Sequence, residues 1–277
     1  MNKLLKIRTL SQNVKEYVVD APDVARHAKA GQFIILRVDE DGERVPFTIC
    51  DMDKRAGTIT ILVQEVGATT SQLARLNVGD CVHDFVGPLG NATDLDAYDK
   101  VMLIGGGIGS AVVFPQAKHM KEIGKPVDII IGARTKDLIM YEDEFRTNAK
   151  NFYIVTDDGS YVEKGFVTTK LKQLLDNGVK YDVVFAVGPM PMMKAVADLT
   201  REYGIKTIVS MNSIMVDGTG MCGCCRVSVG GQTMYACVDG PEFDGHEIDF
   251  AEAMNRLRIY KAQEQEHVCR LRGKVNE

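Results

Sequence analysis

The stretch KVMLIGGGIGSAVVFP (100–115) decides the fold, because it joins an apolar run to three consecutive glycines and then to a second apolar run. This order is typical of a buried strand, a tight turn and a helix, and we expect the helix to reach about Ile123. The same alternation continues to residue 212 and predicts a doubly wound parallel α/β sheet. The further elements are expected as strands at VDIIIGA (127–133), NFYIVTDD (151–158), YDVVFAVG (181–188) and TIVSMN (207–212), and a helix over VTTKLKQLLDNG (167–178).

The segment before this stretch has the pattern of an antiparallel β domain. Short runs of β-branched and aromatic residues, FIILRV (33–38), VPFTIC (45–50) and TITILVQEV (58–66), are separated by turn residues. Strands at this spacing predict a small antiparallel barrel. One helix, TTSQLARL (69–76), interrupts it, and the barrel is expected to end within GPLGNATDLDAYD (87–99).

The segment after residue 212 has a third character, with cysteine- and glycine-rich turns followed by DFAEAMNRLRIY (249–260). Asp249, with Glu252 three residues later, predicts a capped helix start. The length of 277 residues suits two domains and a small appendage. The predicted division is a barrel at 1–98, a parallel sheet at 99–212, and a cysteine-rich segment with a C-terminal helix at 213–277.

Composition excludes several classes of protein. A net charge of −5 without a long basic run gives no reason to expect nucleic-acid binding. Charged residues interrupt the apolar N-terminal stretch too early for a signal peptide, and no run of about 18 apolar residues suggests a membrane span. We therefore expect a cytoplasmic protein.

Four of the seven cysteines fall within sixteen residues, at Cys222, Cys224, Cys225 and Cys237. An odd number of cysteines in a cytosolic chain argues against a disulfide framework. With Asp217 the cluster reads D-x₄-C-x₂-C-x₁₁-C, which is close to the C-x₄-C-x₂-C…C spacing of [2Fe–2S] sites. The pattern predicts Asp217, Cys222, Cys225 and Cys237 as cluster ligands.

Other interpretations of the cluster stay open at this point. Three cysteines and one further ligand also suit a structural zinc ion, and the thiols could simply be free. Cys224 could replace Cys225, or it could serve as the fourth ligand instead of Asp217. Asp217 itself could be only a turn residue, because Asp-Gly favours turns.

The glycine-rich turn at 105–109 predicts a dinucleotide site, because free N–H groups at a helix start bind pyrophosphate. The binding residues expected here are Gly105, Gly107, Ile108 and Gly109. Ser110 stands where the common motif has its last glycine, and the next strand ends in Arg134 and Lys136 rather than in an acidic residue. A tight turn without a ligand is the alternative interpretation.

Two further segments point to cofactors. Gly188 and Pro189 follow a strand at the edge where a nicotinamide would lie. In the barrel, ERVPFTICD (43–51) contains R-x-P-x-T, in which Arg44 can pair with a phosphate and Thr48 can face a flavin ring. The predicted flavin residues are Arg44, Pro46, Phe47 and Thr48, with a second anion site at Gly67, Thr69, Thr70 and Ser71. Arg44 alone could be a surface salt-bridge partner.

The motifs of this chain together resemble those of the ferredoxin–NADP reductase superfamily. They are R-x-P-x-T, GATTSQL, GPLG, GGGIGSA, GARTKDL and DGTGMCG-x-CR. Within it they are most similar to the sulfide/dihydroorotate dehydrogenase-like FAD/NAD-binding branch, over nearly the whole chain. The resemblance implies an FAD barrel, an NAD(P) sheet and a [2Fe–2S] segment. Asp217 at the first ligand position favours the electron-bifurcating members of the branch, whereas Cys224 departs from the expected glycine.

The function implied by this resemblance is that of an electron-transferring flavoprotein subunit. It would pass electrons between NAD(H), FAD and a [2Fe–2S] cluster within a ferredoxin:NADP oxidoreductase complex. The resemblance also implies a larger partner subunit with a second FAD and [4Fe–4S] clusters, through which ferredoxin is reached. A flavin is expected between the other two carriers because it handles both hydrides and single electrons. No general acid or base is required.

Several alternatives to this function remain. The chain could instead be the electron-transfer subunit of dihydroorotate dehydrogenase or a sulfide dehydrogenase subunit. From another class, a colourless zinc-stapled interaction module is the rival. Arg134 and Lys136 could reach a 2′-phosphate and favour NADP(H), whereas the resemblance implies NAD(H).

Overall fold

The computed structural model describes residues 2–273. The N-terminal part consists of antiparallel strands in two sheets, with orders β5-β6-β2-β1-β7 and β4-β3-β8. Its strands are β1 (Asn2–Ser11), β2 (Val14–Asp20), β3 (Phe33–Arg37), β4 (Val45–Thr48), β5 (Asp51–Asp53), β6 (Thr58–Gln64), β7 (Cys81–Val82) and β8 (Asp84–Leu89), and its helices are α1 (Pro22–His27) and α2 (Ala68–Leu73).

The two antiparallel sheets enclose one apolar core. Ile34 and Leu36 of β3 pack with Tyr17 of β2 and Ile59 of β6. Ile34 and Leu36 are two residues apart and therefore lie on the same face of β3, as expected for a strand with period 2. The antiparallel prediction is confirmed, although the strands form two hydrogen-bonded sheets and α2 ends three residues earlier than predicted.

The second part is a parallel sheet with helices on both faces, as predicted. Residues alternate along β9, so that Leu103 packs with Phe114 on one face and Ile104 packs with Val196 on the other. Such burial on both faces explains the continuous apolar runs of the sequence. The strands are β9 (Val101–Gly106), β10 (Val127–Ala133), β11 (Ala149–Thr156), β12 (Glu163–Lys164), β13 (Val183–Val187) and β14 (Lys206–Ser210), and the helices are α3 (Ser110–Glu122), α4 (Glu142–Asn148), α5 (Val167–Asp176) and α6 (Met190–Glu202).

The cysteine-rich part adds a hairpin, a strand and two helices. They are β15 (Arg226–Val229), β16 (Gln232–Tyr235), β17 (Glu242–Asp244), α7 (Phe250–Arg256) and α8 (Lys261–Gly273). Asp249 caps α7 by accepting a hydrogen bond from the Glu252 N–H at 2.9 Å, as predicted. β17 pairs antiparallel with β14, so the third segment completes the parallel sheet, in the order β12-β11-β10-β9-β13-β14-β17.

The three parts share their packing. Phe33 and Ile35 of β3 belong to the same buried cluster as Ile104 of β9 and as Cys225 and Cys237 of the cysteine-rich part. Because one core is continuous across all three, the candidate sites that they carry are held at fixed relative positions. None of the helices within residues 2–273 is long and apolar enough to cross a membrane.

Candidate functional site

Close packing shapes the glycine-rich turn between β9 and α3. A side chain on Gly109 would overlap with the Val187 carbonyl oxygen and lie 3.0 Å from Gly188 Cα. A side chain on Gly105 would lie 2.8 Å from Ile131 Cδ1. Gly107, in contrast, has φ +56° and open space around it. The turn is therefore fixed from two sides and leaves the backbone at Gly107 accessible, which fits the approach of a pyrophosphate.

The structure brings Gly188 and Pro189 to this turn. β13 pairs with β9 in the register Val187 to Gly105, and Pro189 Cδ lies 3.3 Å from the position of a Cβ on Gly106. The sheet order changes direction between β9 and β13, and ligands of doubly wound sheets bind outside the carboxyl ends of the strands at such a point. The structure thus places Gly188 and Pro189 beside the turn at 105–109, at the point where the sheet order changes direction.

Arg134 lies apart from this contact. It is exposed directly after β10, on the other side of β9. Lys136 is held by its neighbours, because its N–H donates to Ser160 Oγ at 2.9 Å and its Nζ lies 4.8 Å from the ring centre of Tyr161. Arg134 and Lys136 both lie just after the carboxyl end of β10, on the side of β9 away from β13.

The predicted flavin strand is β4, an edge strand that pairs with β3 alone among the described strands. All four of its residues are half-buried, including the apolar Pro46 and Phe47. An edge strand with apolar side chains and a free side suits a large planar ring that would cover it. Thr48 ends the strand opposite Phe33.

Arg44 precedes this strand and connects it to the cysteine-rich part. Its Nε donates to the Val216 carbonyl oxygen at 3.0 Å, and its Nη1 lies 3.7 Å from Asp84 Oδ2. The stronger partner of Asp84 is Arg37, at 2.7 Å. The guanidinium of Arg44 is therefore positioned mainly by the Val216 backbone, and its ion pair with Asp84 is the longer contact, so its charge can still meet a phosphate.

The predicted second anion site is the start of α2. Thr70 Oγ1 accepts the Gly67 N–H at 2.9 Å, while the hydroxyl of Thr69 donates to Glu43 Oε2 at 2.9 Å. Ser71 donates to Glu65 at 2.9 Å. Nothing lies within 4 Å of a Cβ on Gly67. The bond from Thr69 to Glu43 therefore holds this turn next to Arg44, the following residue in the chain. The sequence pattern did not predict this bond.

The cysteine loop bends at three glycines, Gly218, Gly220 and Gly223, whose φ angles are +78°, +85° and +68°. Only glycine adopts this left-handed conformation without strain, so the loop can curl tightly around Cys222. The side chain of Asp217 stabilises the curl. Its carboxylate accepts the N–H groups of Thr219 at 2.8 Å and Cys222 at 2.9 Å.

Each of the four thiols at 222–237 lies near one other thiol. Cys225 Sγ and Cys237 Sγ are 3.2 Å apart and buried, and both cysteines are free. The thiols of Cys222 and Cys224 lie close enough for each to shift the pKa of the other. Within residues 2–273 no three His, Cys, Asp or Glu side chains are arranged so that they could hold one metal ion. The structure therefore brings Cys225 and Cys237 together and places the Asp217 carboxylate on the Cys222 N–H, but it does not converge the four predicted ligands on one point.

The protonation of these groups follows from their surroundings. Hydrogen bonds from backbone N–H groups, led by that of Thr219, lower the pKa of Asp217. Partial burial acts against ionisation of Cys222, but accepted hydrogen bonds, led by the Cys224 N–H, lower its pKa overall. Burial, and then the Cys225 thiol, raises the pKa of Cys237 to about 12. A bound cation would be needed to keep Cys237 as a thiolate at neutral pH.

The donor set fits an iron–sulfur cluster. Free thiols and a carboxylate occupy a glycine-rich loop whose backbone N–H groups point at the ligand side chains, which is the environment such clusters require. The loop also lies against the flavin sheet. A side chain on Gly218 would lie 3.0 Å from Ile35 Cγ1, and Ile35 pairs with Pro46 of β4.

A buried polar contact between the first two parts was missed from sequence. Glu16 of β2 accepts a bidentate hydrogen bond from Arg8, at 2.8 Å for the shorter contact, and the hydroxyl of Tyr141 at 2.5 Å. Lys118 of α3 also pairs with Asp51 at 2.7 Å. These contacts connect β2 and β5 of the first part to α3 and to the start of α4 in the second part. Isolated charges in the sequence carry no signal for them.

Comparison with known proteins agrees with this geometry. Residues 2–93 match the oxidoreductase FAD-binding domain, and residues 212–249 match the iron–sulfur cluster binding domain of dihydroorotate dehydrogenase B. A Thermotoga maritima protein described as a homologue of the dihydroorotate dehydrogenase B (NAD(+)) electron transfer subunit is 44% identical over 264 residues, 95% of this chain and 93% of its own. The chain belongs to the family of dihydroorotate dehydrogenase B electron transfer subunits and their homologues.

Two solved structures resemble this chain. A chain from the structure of an NADH-dependent reduced ferredoxin-NADP oxidoreductase, described in connection with flavin-based electron bifurcation, is 42% identical, with a TM-score of 0.93 and 98% coverage of both chains. Phthalate dioxygenase reductase shares the fold at 17% identity, with a TM-score of 0.61 over 83% of this chain and 86% of its own. The chain is thus a flavin-dependent NAD(P)H oxidoreductase subunit of the ferredoxin reductase type, with FAD-binding and iron–sulfur domains.

Proposed function

We propose that this protein is the electron-transferring small subunit of an electron-bifurcating ferredoxin:NADP oxidoreductase complex. The contact between the cysteine loop and the flavin strand carries the proposal. Arg44 donates to Val216 at one end of this contact, and Gly218 packs on Ile35 at the other. Carriers bound by the loop and by β4 would therefore lie close together, since one continuous core joins the parts that hold them.

The chemistry that bound FAD supplies is the conversion of a hydride transfer into single-electron transfers, as a path from nicotinamide to cluster requires. The chain's own residues bind and orient the carriers. Arg44 and the turn at 67–71 hold the phosphates of FAD, and Pro46, Phe47 and Thr48 line its ring. The nucleotide lies on Gly105, Gly107, Ile108 and Gly109, against Gly188 and Pro189.

We propose that the nucleotide is NAD(H), although two basic residues lie just after the carboxyl end of β10. Lys136 is held over the ring of Tyr161, while Arg134 is exposed at the strand end and is suited to neutralising a pyrophosphate. The structural relative at 42% identity is described as NADH-dependent. Titration of the purified protein with NADH and NADPH tests this choice, and tighter binding of NADPH would contradict it.

We propose a [2Fe–2S] cluster held by Asp217, Cys222, Cys225 and Cys237. The position of Asp217 supports this set, because its carboxylate already lies on the N–H of Cys222. Cys224 is the rival ligand, since its thiol lies close to that of Cys222. Zinc in place of iron would give a colourless loop.

The complex that we propose includes a larger subunit with a second FAD and [4Fe–4S] clusters, in the cytoplasm. The similarity over 98% of both chains to a component of a ferredoxin-NADP oxidoreductase supports it. A dihydroorotate dehydrogenase partner is the second candidate, because relatives of that name match most of the chain. Electron transfer from dihydroorotate to NAD⁺ by the intact complex would favour this second candidate.

The first experiment is an anaerobic visible spectrum of the purified protein before and after NADH, with electron paramagnetic resonance (EPR) of the reduced sample. We expect flavin bands that NADH bleaches and the signal of a reduced [2Fe–2S] cluster. A flavin spectrum with bound zinc and no iron signal would remove the cluster. A colourless protein that does not bind added FAD would refute the proposed function.

A further inference from the structure

The side chain of Met192 covers the two glycines at the centre of the nucleotide crevice. A side chain on Gly106 would overlap with Met192 Sδ, and one on Gly188 would lie 2.7 Å from Met192 Cε. Gly106 ends β9 and Gly188 follows β13, which is the neighbouring strand. The thioether thus packs directly on the backbone of both strand ends.

With the nucleotide placed as proposed above, its nicotinamide ring would lie at this position. The carboxyl ends of β9 and β13 flank the point where the sheet order changes direction, and ligands approach the backbone there. Because Gly106 and Gly188 have no side chains, their Cα atoms are the surface that such a ring would contact. In the structure Met192 occupies that surface.

Met192 is also able to leave it. It stands in the first turn of α6 and is only half-buried, whereas Met193 beside it is fully buried in the core. Methionine is unbranched and flexible, so it can swing towards solvent without moving the helix. Met193 therefore anchors the helix start and leaves Met192 free of that task.

We propose that Met192 is the gate of the nicotinamide crevice. The ring reaches Gly106 and Gly188 only in the fraction of molecules whose thioether has moved away. The apparent affinity for the nucleotide is reduced by that fraction. The proposal rests on the NAD(H) binding proposed above and adds the residue that limits it.

The test compares NAD⁺ with ADP-ribose, which lacks the nicotinamide, by calorimetric titration of the oxidised protein carrying FAD and cluster. For Met192→Ala we expect the Kd for NAD⁺ to fall about threefold to tenfold, because no side chain remains to be displaced. The Kd for ADP-ribose should stay unchanged. Met192→Gln should shift the NAD⁺ value in the same direction, since an amide end favours water over a glycine surface.

Met254→Ala is the matched control, as it shortens another half-buried methionine, on α7. It should leave both dissociation constants unchanged. An unchanged or higher Kd for NAD⁺ in both Met192 variants, or an equal change for both ligands, would overturn the gate. Failure of the wild-type protein to bind NAD⁺ at all would refute the proposed function itself, which separates the two results.

Discussion

The glycine-rich turn at 105–109 and the cysteine loop at 217–225 both depend on glycine, but for different reasons. In the turn, Gly109 is required because the backbone of β13 leaves no room for a side chain. In the loop, Gly218, Gly220 and Gly223 are required by their left-handed φ angles. Packing therefore decides the residue at Gly109 of the turn, whereas left-handed backbone conformation and the carboxylate of Asp217 dominate in the loop. The division is one of degree, because Gly107 is also left-handed and Gly218 also packs on Ile35.

The turn and the loop would respond differently when a ligand binds. The turn is closely packed within the sheet at Gly105 and Gly109, so the proposed nucleotide site is already shaped, and Met192 is the side chain that we propose to move. The thiols of the loop lie in two pairs, and the pKa of Cys237 is raised to about 12 by burial. Ligand binding at the loop therefore requires proton release.

The largest effect is expected at the loop. Cys237→Ser should abolish the iron–sulfur cluster, because it removes a buried ligand and leaves the Cys225 thiol without its 3.2 Å neighbour. Iron content and the EPR signal should be lost, while the FAD absorbance remains. Cys81→Ser, at an exposed position on β7, is the control and should change neither. A full cluster signal in Cys237→Ser would contradict the proposed ligand set.

The turn should separate packing from conformation. Gly109→Ala should lower the free energy of unfolding by about 3 kcal/mol, because the new methyl group would overlap with the backbone of Val187. Gly107→Ala should cost only about 1 kcal/mol, the strain of a left-handed residue in open space. Urea unfolding monitored by circular dichroism measures both values.

Nucleotide binding gives this pair of variants a second use. Gly107→Ala keeps the fold but places a methyl group where the pyrophosphate would approach, so NAD⁺ and ADP-ribose should both bind more weakly. Equal stability losses in the two variants would show that packing does not distinguish Gly109 from Gly107. Unchanged binding by Gly107→Ala would show that the pyrophosphate lies elsewhere.

A smaller effect should identify the fourth ligand. If Asp217 binds iron, Asp217→Cys should keep the cluster but change its EPR g-values, because thiolate donates more charge to iron than carboxylate does. Cys224→Ser should leave the spectrum unchanged. Loss of the signal in Cys224→Ser, with a wild-type spectrum in Asp217→Asn, would instead make Cys224 the ligand and Asp217 a turn residue.

Sequence alone predicted the elements whose patterns are continuous. β9, its turn and α3 follow from one apolar run, and the cap of α7 follows from Asp249 and Glu252. β1 was not predicted, because charged residues alternate irregularly along it and Leu4 is its one buried residue. β17 has only three residues and is defined by pairing with β14, a contact between distant parts of the chain.

The site shows the same division. The residue types at the turn, the flavin strand and the loop could be chosen from their motifs. The contacts between them, such as Arg44 with Val216, join residues 172 positions apart and have no local pattern. The packing of Met192 on two glycines has no local pattern either, since it depends on the register of β9 and β13.

Glu242 lies where the two compared regions meet. Thr93, in the segment between β8 and β9, donates its hydroxyl to Glu242 Oε1 at 2.5 Å, and Gln116 of α3 donates to the same hydroxyl oxygen at 2.5 Å. Helix α3, which follows the glycine-rich turn, is thereby connected to β17, the strand that follows the cysteine loop. Burial raises the pKa of Glu242 from 4.5 to about 7, although the bond from Thr93 acts in the opposite direction.

The smallest effect expected is therefore a pH dependence of stability. Because the folded pKa of Glu242 is raised, the folded state binds its proton more tightly, and stability is lost as pH rises from about 4.5 through about 7. Glu242→Gln keeps the shape and the acceptor oxygen but cannot ionise, so it should match the wild type near pH 4.5 and be more stable at pH 8. The change from 4.5 to about 7 corresponds to about 3 kcal/mol at full effect. Because Glu242 is only half-buried, solvent should reduce the difference to about 1–2 kcal/mol. Urea unfolding at both pH values measures this difference.

Thr93→Val is the control, because it removes the hydrogen bond but leaves the carboxyl group able to ionise, and its pH dependence should persist. A stability difference between wild type and Glu242→Gln that is the same at both pH values would show that the carboxyl group titrates normally and that the junction does not respond to pH.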